Sequence, residues 1–191
     1  MVKLNKIYTR TGDEGTTGLV DGSRTAKHSA RIAAMGAVDE TNSVIGFAIC
    51  SLEDKAHSAL LTRVQNDLLE LGADLATPAQ GYDFAPSEMV LRIVPSQSEW
   101  LEAKIDALNA RLQPLTCVVL PGGSEPAARI HMARASARSA ERAMTSLAEQ
   151  TSVNPAALVY INRLSDLLFV LARVANSDGA ADVKWVPGAN R

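Results

Sequence analysis

Residues Asn154–Asn176 read NPAALVYINRLSDLLFVLARVAN. Proline in second place suits the first position of a helix, and the asparagine before it is a good N-cap. Apolar residues then recur at spacings of three and four, so the segment is expected to be a long helix with a buried face. Three polar residues interrupt it. Asn162, Arg163 and Asp166 stand in otherwise strongly apolar sequence, with Asn162 and Asp166 four residues apart on one face. Buried polar groups need partners, and an i, i+3 contact between Arg163 and Asp166 supplies only part of what is required. The remainder is expected from another helix or from a ligand.

The same periodicity runs backward over most of the chain after residue 29. It predicts helices over about Ser29–Leu52, Lys55–Thr77, Ser96–Leu112 and Ser124–Gln150, the third opened by a capping box at SQSE (Ser96–Glu99) and the fourth capped by Ser124. Pro78 and the region of Gly81 end the second, and a long irregular connection follows. Five helices of such length make an all-α, five-helix bundle. Extended pieces are expected only at Lys6–Thr9 and Cys117–Leu120, and the closing DVKWVPGANR is expected to be a tail. One domain over 1–191 results, with an N-terminal loop at 1–28, the bundle at 29–177 and the tail at 178–191.

Composition narrows the function classes. With 191 residues, 47% of them hydrophobic, the chain can bury one sizeable core. A net charge of −2 argues against a general nucleic-acid binder, although a local basic pocket remains open. Cys50 and Cys117 lie far apart, and His28, His57 and His131 have no zinc-ligand spacing, so no structural metal is expected. The N-terminus lacks a signal-type apolar core, and no run of about 20 uninterrupted apolar residues offers a membrane span. A cytoplasmic location is the expectation.

Two stretches suggest chemistry. TRTGDEGTTG (Thr9–Gly18) packs three glycines and four threonines beside one arginine, a composition suited to cradling phosphate, yet it is neither a Walker A loop nor a GxGxxG fingerprint. A solvated loop would read the same. HMARASARSAER (His131–Arg142) places Arg134, Arg138, Glu141 and Arg142 on one helical face, where guanidinium forks can grip a polyanion and Glu141 can hold them in position. A solvated charged face is the alternative. Asp39, Glu40 and Asn42 interrupt the first helix, so an acid there is expected to face an arginine of the fourth; a salt-bridge network that fixes helix register would explain the same residues.

In order along the chain, IYTRTGDEGTTGL, Lys27, VDETNSVIG, ELGADLAT, VLPGGS, RASARSAER and YINRLSDLLFVLAR resemble the cob(I)alamin adenosyltransferases of the PduO type. The resemblance spans nearly the whole chain. It implies a homotrimer of five-helix bundles, with MgATP and cobalamin bound as substrates at subunit interfaces. Thr9, Arg10, Thr11, Gly12, Thr17 and Gly18 would form the ATP loop, Lys27 would reach the phosphates, and Arg138, Glu141, Arg142 and Asn162 would complete the nucleotide site. Asp39 and Arg134 match a pair that bridges the subunit boundary, while Arg163 and Asp166 match supporting positions. The implied reaction is attack of Co(I) on the 5′ carbon of ATP with loss of triphosphate. A reductase and an adenosylcobalamin-dependent enzyme are implied partners.

Two departures from the family pattern stand out. Val118 replaces a phenylalanine that excludes the lower axial ligand of the corrinoid, with Met89 or Phe84 as candidates to fill the gap. Ser139 replaces an arginine and, at i+1, is expected to point away from the Arg138 face. An ATP- or cobalamin-binding carrier without efficient catalysis is the alternative function.

Overall fold

The computed structural model describes residues 7–79, 81 and 83–191. Their elements are β1 (Thr16–Gly18), β2 (Arg24–Ala26), α1 (Ala30–Ile49), α2 (Lys55–Leu75), α3 (Pro95–Asn109), α4 (Glu125–Ala148) and α5 (Pro155–Ala175). The caps explain most boundaries. Ser29 accepts from Ile32 N–H, Asp54 from Ala56 and His57, Ser124 from Ala127, and Asn154 from Ala156. For α3 the boundary moves: Val94 is the N-cap, and Gln97 Oε1 accepts its N–H at 2.9 Å. Pro95 fixes the first helical φ and holds Val94 extended, so the helix starts before Ser96 and the box expected at Ser96–Glu99 does not form.

Four helices close a ring. Thr41 and Ser136 hydroxyls meet at 3.0 Å and Arg129 donates to Phe47 O, which sets α1 antiparallel to α4. Ser124 Oγ donates to Ala175 O, and Arg134 lies over the Phe169 ring, which sets α4 antiparallel to α5. Asn42 and Gln65 exchange amide-to-carbonyl hydrogen bonds between α1 and α2. Tyr160 OH closes the circle from α5 to Asp67 on α2 at 3.0 Å. The fifth, α3, covers the α2–α5 seam: Gln97 donates to Asp67, and Arg63 of α2 stacks on Trp100.

Helix α5 carries the core, with Tyr160, Ile161, Leu164, Leu167, Leu168 and Leu171 at zero exposure. Each such leucine contributes about 1.5 to 3 kcal/mol relative to leaving it in water. By length and composition α5 could cross a membrane, although Asn162, Arg163, Asp166 and Arg173 interrupt its apolar run. Its apolar character has a simpler cause, since it is flanked by α3, α4 and α2. A buried polar knot ties the long connection to this core. Asp74 accepts from Arg92 at 2.7 Å, from Ile93 N–H at 2.9 Å and from Asn154 at 2.6 Å.

Two regions depart from the expected outline. A short antiparallel hairpin, with Thr16 opposite Ala26 and Gly18 opposite Arg24, forms where only loop was expected. Its strands are three residues each and show no apolar alternation, so periodicity could not announce them. The extended piece expected at Lys6–Thr9 lies partly outside the described residues, and residues 7–9 belong to no strand. At the other end, Val119 bridges Lys184, Leu120 N–H donates to Val183 O and Trp185 N–H donates to Val118 O. The closing segment is therefore no free tail: it is the partner of the extended piece at Cys117–Leu120.

Candidate functional site

The hairpin is held by contacts within its own chain. The Arg24 guanidinium donates to Thr11 O at 2.7 Å and to Thr16 Oγ1 at 2.8 Å, drawing the loop closed. Thr9 and Thr11 hydroxyls meet at 2.9 Å. Lys27 N–H donates to Gly15 O, and a Cβ on Gly12 would come within 3.0 Å of Lys27 Nζ and 3.2 Å of Thr16 O. Glycine at position 12 is thus what admits the ammonium. Arg10 adopts a φ of 63°, a left-handed conformation that costs a non-glycine residue energy and turns its backbone at the loop's mouth. Thr17 and Gly18 lie on β1. Val20 N–H donates to Ala76 O, fastening the hairpin to the end of α2, and Arg31 of α1 donates to Leu75 O beside it. Arg24 and Arg31 were missed in the sequence because neither belongs to a periodic or glycine-rich pattern.

The second cluster runs along α4. Arg134 is half-buried over Phe169, its Nε without a hydrogen-bond partner, and burial followed by the charge of Arg138 lowers its pKa. Both effects oppose holding a proton there, so an anion beside Arg134 would be favoured. One and two turns on, Arg138 and Arg142 are exposed. Arg142 donates to Arg138 O at 3.2 Å and to Ser139 Oγ at 2.9 Å. Ser139, off the Arg138 face, accepts from Arg142 and helps to position it. Glu141 makes no ion pair among the described residues, so it does not hold the guanidiniums together within one chain. His131, one turn before Arg134, is 2% exposed with neither ring nitrogen bonded. Burial and then Arg134 depress its pKa, against an opposing pull from Asp182.

The three polar residues that interrupt α5 at 162, 163 and 166 are not buried. Asn162 and Asp166 are exposed and Arg163 is half-exposed, donating to Glu102 of α3 at 2.6 Å with Asp166 at 3.8 Å. The hydrogen bond to Glu102 raises the Arg163 pKa. Asn162 is two turns from Phe169 on the same helical face, and Arg138 is two turns from His131, whose ring meets that of Phe169, so the antiparallel register brings Asn162 and Arg138 to one height along the α4–α5 groove.

Asp39 lies elsewhere. It lines the α1–α2 groove with Asn42, Leu68 and Leu69, a depression of about 370 Å³. In the ring of four helices that groove is opposite α4–α5. Among the described residues no ion pair joins an acid of α1 to an arginine of α4, and no hydrogen bond joins residues 9–18 or Lys27 to residues 134–142. The facing expected between those helices is not made within one chain. Val118 is exposed at the far end of the bundle, cross-strand from the exposed Trp185. Phe84 sits over Arg92, which is bonded to Asp74 and Thr77 at the opposite end, so neither it nor nearby Met89 can fill space at Val118.

These features define a helical-bundle protein with a preformed threonine–glycine hairpin and a separate arginine face. The chain belongs to the cobalamin adenosyltransferase family, whose profile matches residues 7–175. It is 49% identical over 195 residues to a corrinoid adenosyltransferase of Mycobacterium tuberculosis, covering 100% of this chain and 97% of that relative. Against the corrinoid adenosyltransferase PduO of Salmonella typhimurium it is 42% identical over 172 residues, 90% of this chain and 50% of that longer protein. Among solved structures it resembles a phenylalanine-to-histidine variant of the PduO-type ATP:corrinoid adenosyltransferase of Lactobacillus reuteri complexed with cobalamin and ATP. That match has a TM-score of 0.86 at 34% identity and covers 95% of this chain and 97% of the other. An arginine-to-lysine variant of the same enzyme, complexed with ATP, matches with a TM-score of 0.83 at 34% identity over 94% and 100% of the two chains.

Proposed function

We propose that this chain is an ATP:cob(I)alamin adenosyltransferase whose active site is assembled between copies of the chain. The observation that carries the assembly is the split just described: hairpin and Asp39 belong to one side of the bundle, and Arg134, Arg138 and Asn162 to the opposite groove. A closed ring of three copies brings each groove against the complementary side of a neighbour, through three equivalent heterologous contacts. Asp39 then reaches the half-buried Arg134 of the next copy, supplying the partner that residue lacks in its own chain.

ATP, entering with its magnesium, is held by Thr9, Arg10, Thr11, Gly12, Thr17 and Gly18 of the hairpin. Lys27 meets the phosphates from the same copy, and Arg138, Arg142, Glu141 and Asn162 meet the nucleotide from the neighbour. In the reaction Co(I) donates its electron pair to the 5′ carbon, the Co–C bond forms, and the C5′–O bond breaks with its electrons leaving on triphosphate. No protein nucleophile and no proton transfer are required. The protein's contribution is alignment of C5′ with cobalt and stabilisation of charge on the departing chain by guanidinium, ammonium and backbone N–H groups.

Val118 and Trp185 present adjoining apolar surface for the corrinoid. Residues 1–28, 29–177 and 178–191 form one functional domain, working in the cytoplasm with a reductase that supplies Co(I). Chain purified and mixed with MgATP and chemically reduced cobalamin is expected to show the absorbance change of Co–C bond formation together with triphosphate release. Binding of both substrates without conversion would instead make the protein a carrier.

A further inference from the structure

The α2–α3 seam holds a second concentration of positive charge, away from both surfaces of the proposed active site. It is a groove of about 460 Å³ whose lining includes no acid. Leu60, Leu108 and the indole of Trp100 make an apolar floor, and Arg63, Lys104 and Arg111 stand around it. Alanines at 56, 59 and 107 complete the lining of this open groove. Arg63 lies 3.9 Å from the Trp100 centroid and Lys104 5.7 Å. Neither has a carboxylate partner among the described residues, whereas Arg111 is paired with Asp178 at 2.9 Å and His57 with Asp54 at 3.4 Å. The chain's net charge is −2, so this cluster is local and not a reflection of a basic protein.

Arg63 and Lys104, which no carboxylate neutralises, repel one another, and the interaction is relieved when an anion enters between them. An apolar floor beneath them adds a second requirement: the occupant must carry a flat or apolar body beside its negative charge. A volume of this size is in the range of small-molecule pockets. We infer that the α2–α3 groove is a second nucleotide site, binding a mononucleotide with its ring on Leu60 and Leu108 and its phosphates between Arg63 and Lys104. In the assembly proposed above, the copies meet through the α1–α2 and α4–α5 grooves, and this seam faces outward.

The test is the stoichiometry of ATP binding by equilibrium dialysis, with the wild-type chain beside an Arg63→Gln/Lys104→Gln variant. Both substituted side chains are exposed. The wild type is expected to bind two ATP per chain and the variant one, with adenosyl transfer at saturating ATP unchanged within about twofold. Should the active-site reading fail, the variant would still bind one ATP fewer than the wild type, so the two readings fail separately. An unchanged ATP count in the variant would overturn the site. Inorganic triphosphate is expected to displace the groove-bound nucleotide at least tenfold less effectively than ADP; equal displacement would overturn the role of the apolar floor.

Discussion

The hairpin and the arginine face of α4 treat charge in opposite ways. In the hairpin, Arg24 is committed to Thr11 and Thr16, Lys27 is seated against Gly12, and the whole is fastened to the end of α2 through Val20. On α4, Arg134 lacks a partner at Nε, and Arg138 and Arg142 reach into solvent. One region has its contacts within the single chain, and in the proposed assembly the other is completed by the neighbouring copy. Preorganisation lowers the ordering cost of binding, while unpaired guanidiniums supply charge that strengthens as the substrate becomes more negative at its leaving group.

The largest expected effect follows from the open side. Arg138→Ala is expected to lower kcat/KM by about 2 to 4 kcal/mol, roughly 30- to 1,000-fold, because it removes a charge-assisted donor from the leaving triphosphate. Stability should change little. Arg129, on the α1 side of the same helix and already tied to Glu125 and Phe47, is the control, and its alanine variant should keep kcat/KM within about threefold. Steady-state kinetics on both variants decides this, and equal losses would break the contrast.

The preformed side predicts a different signature. Arg24→Ala removes donors that shape the loop without touching substrate, so KM for ATP should rise by about tenfold, on the scale of one or two hydrogen bonds, with kcat nearly kept. A fall in kcat with unchanged KM would mean that Arg24 acts on the reaction itself.

A smaller effect concerns His131. Its folded pKa is below 6.5, so above pH 6.5 both folded and unfolded chains hold it neutral and it contributes no pH dependence. As pH falls below that value the unfolded chain takes the proton first, and stability declines by at most about 1.4 kcal/mol per pH unit until the folded pKa is reached. His131→Phe is expected to flatten that part of the stability curve, measured by denaturant unfolding between pH 7 and 5. A slope unchanged in the variant would assign the acid sensitivity to other groups.

The least effect is expected from Val118→Phe. Trp185 already lies cross-strand from Val118 with its side chain on the same face, so turnover under a weak reductant should change by less than about threefold. Trp185→Ala should slow it more. A large acceleration in Val118→Phe, read from the spectrum of bound Co(II), would show that the indole does not cover the corrinoid.

Helices were legible because each combines periodic apolar residues with a local stop or start, as Asn154–Pro155 and Ser124 illustrate. What was not legible depended on distant partners. The strand at 118–120 pairs with residues more than sixty positions away, and the hairpin rests on Arg24 bonds across 8 and 13 residues. Asn162 and Asp166 read as buried because their neighbours are apolar, yet α5 turns them toward the outer rim, a choice made by which flanks α3 and α4 cover. Ser139 shows the limit of face arguments, since a side chain off the arginine stripe still reaches Arg142 three residues on.

The division of the site between copies is tested most directly by mixing two inactive chains. Lys27→Ala damages the hairpin side and Arg138→Ala the arginine face, and each homotrimer should be nearly inactive. After subunit exchange in equal amounts, contacts that join an intact hairpin to an intact arginine face arise in about one quarter of the random pairings, so activity should recover to roughly a quarter of wild type. Activity that stays at the sum of the two separate variants, in mixtures shown to contain mixed trimers, would place the whole site within one chain and contradict the account.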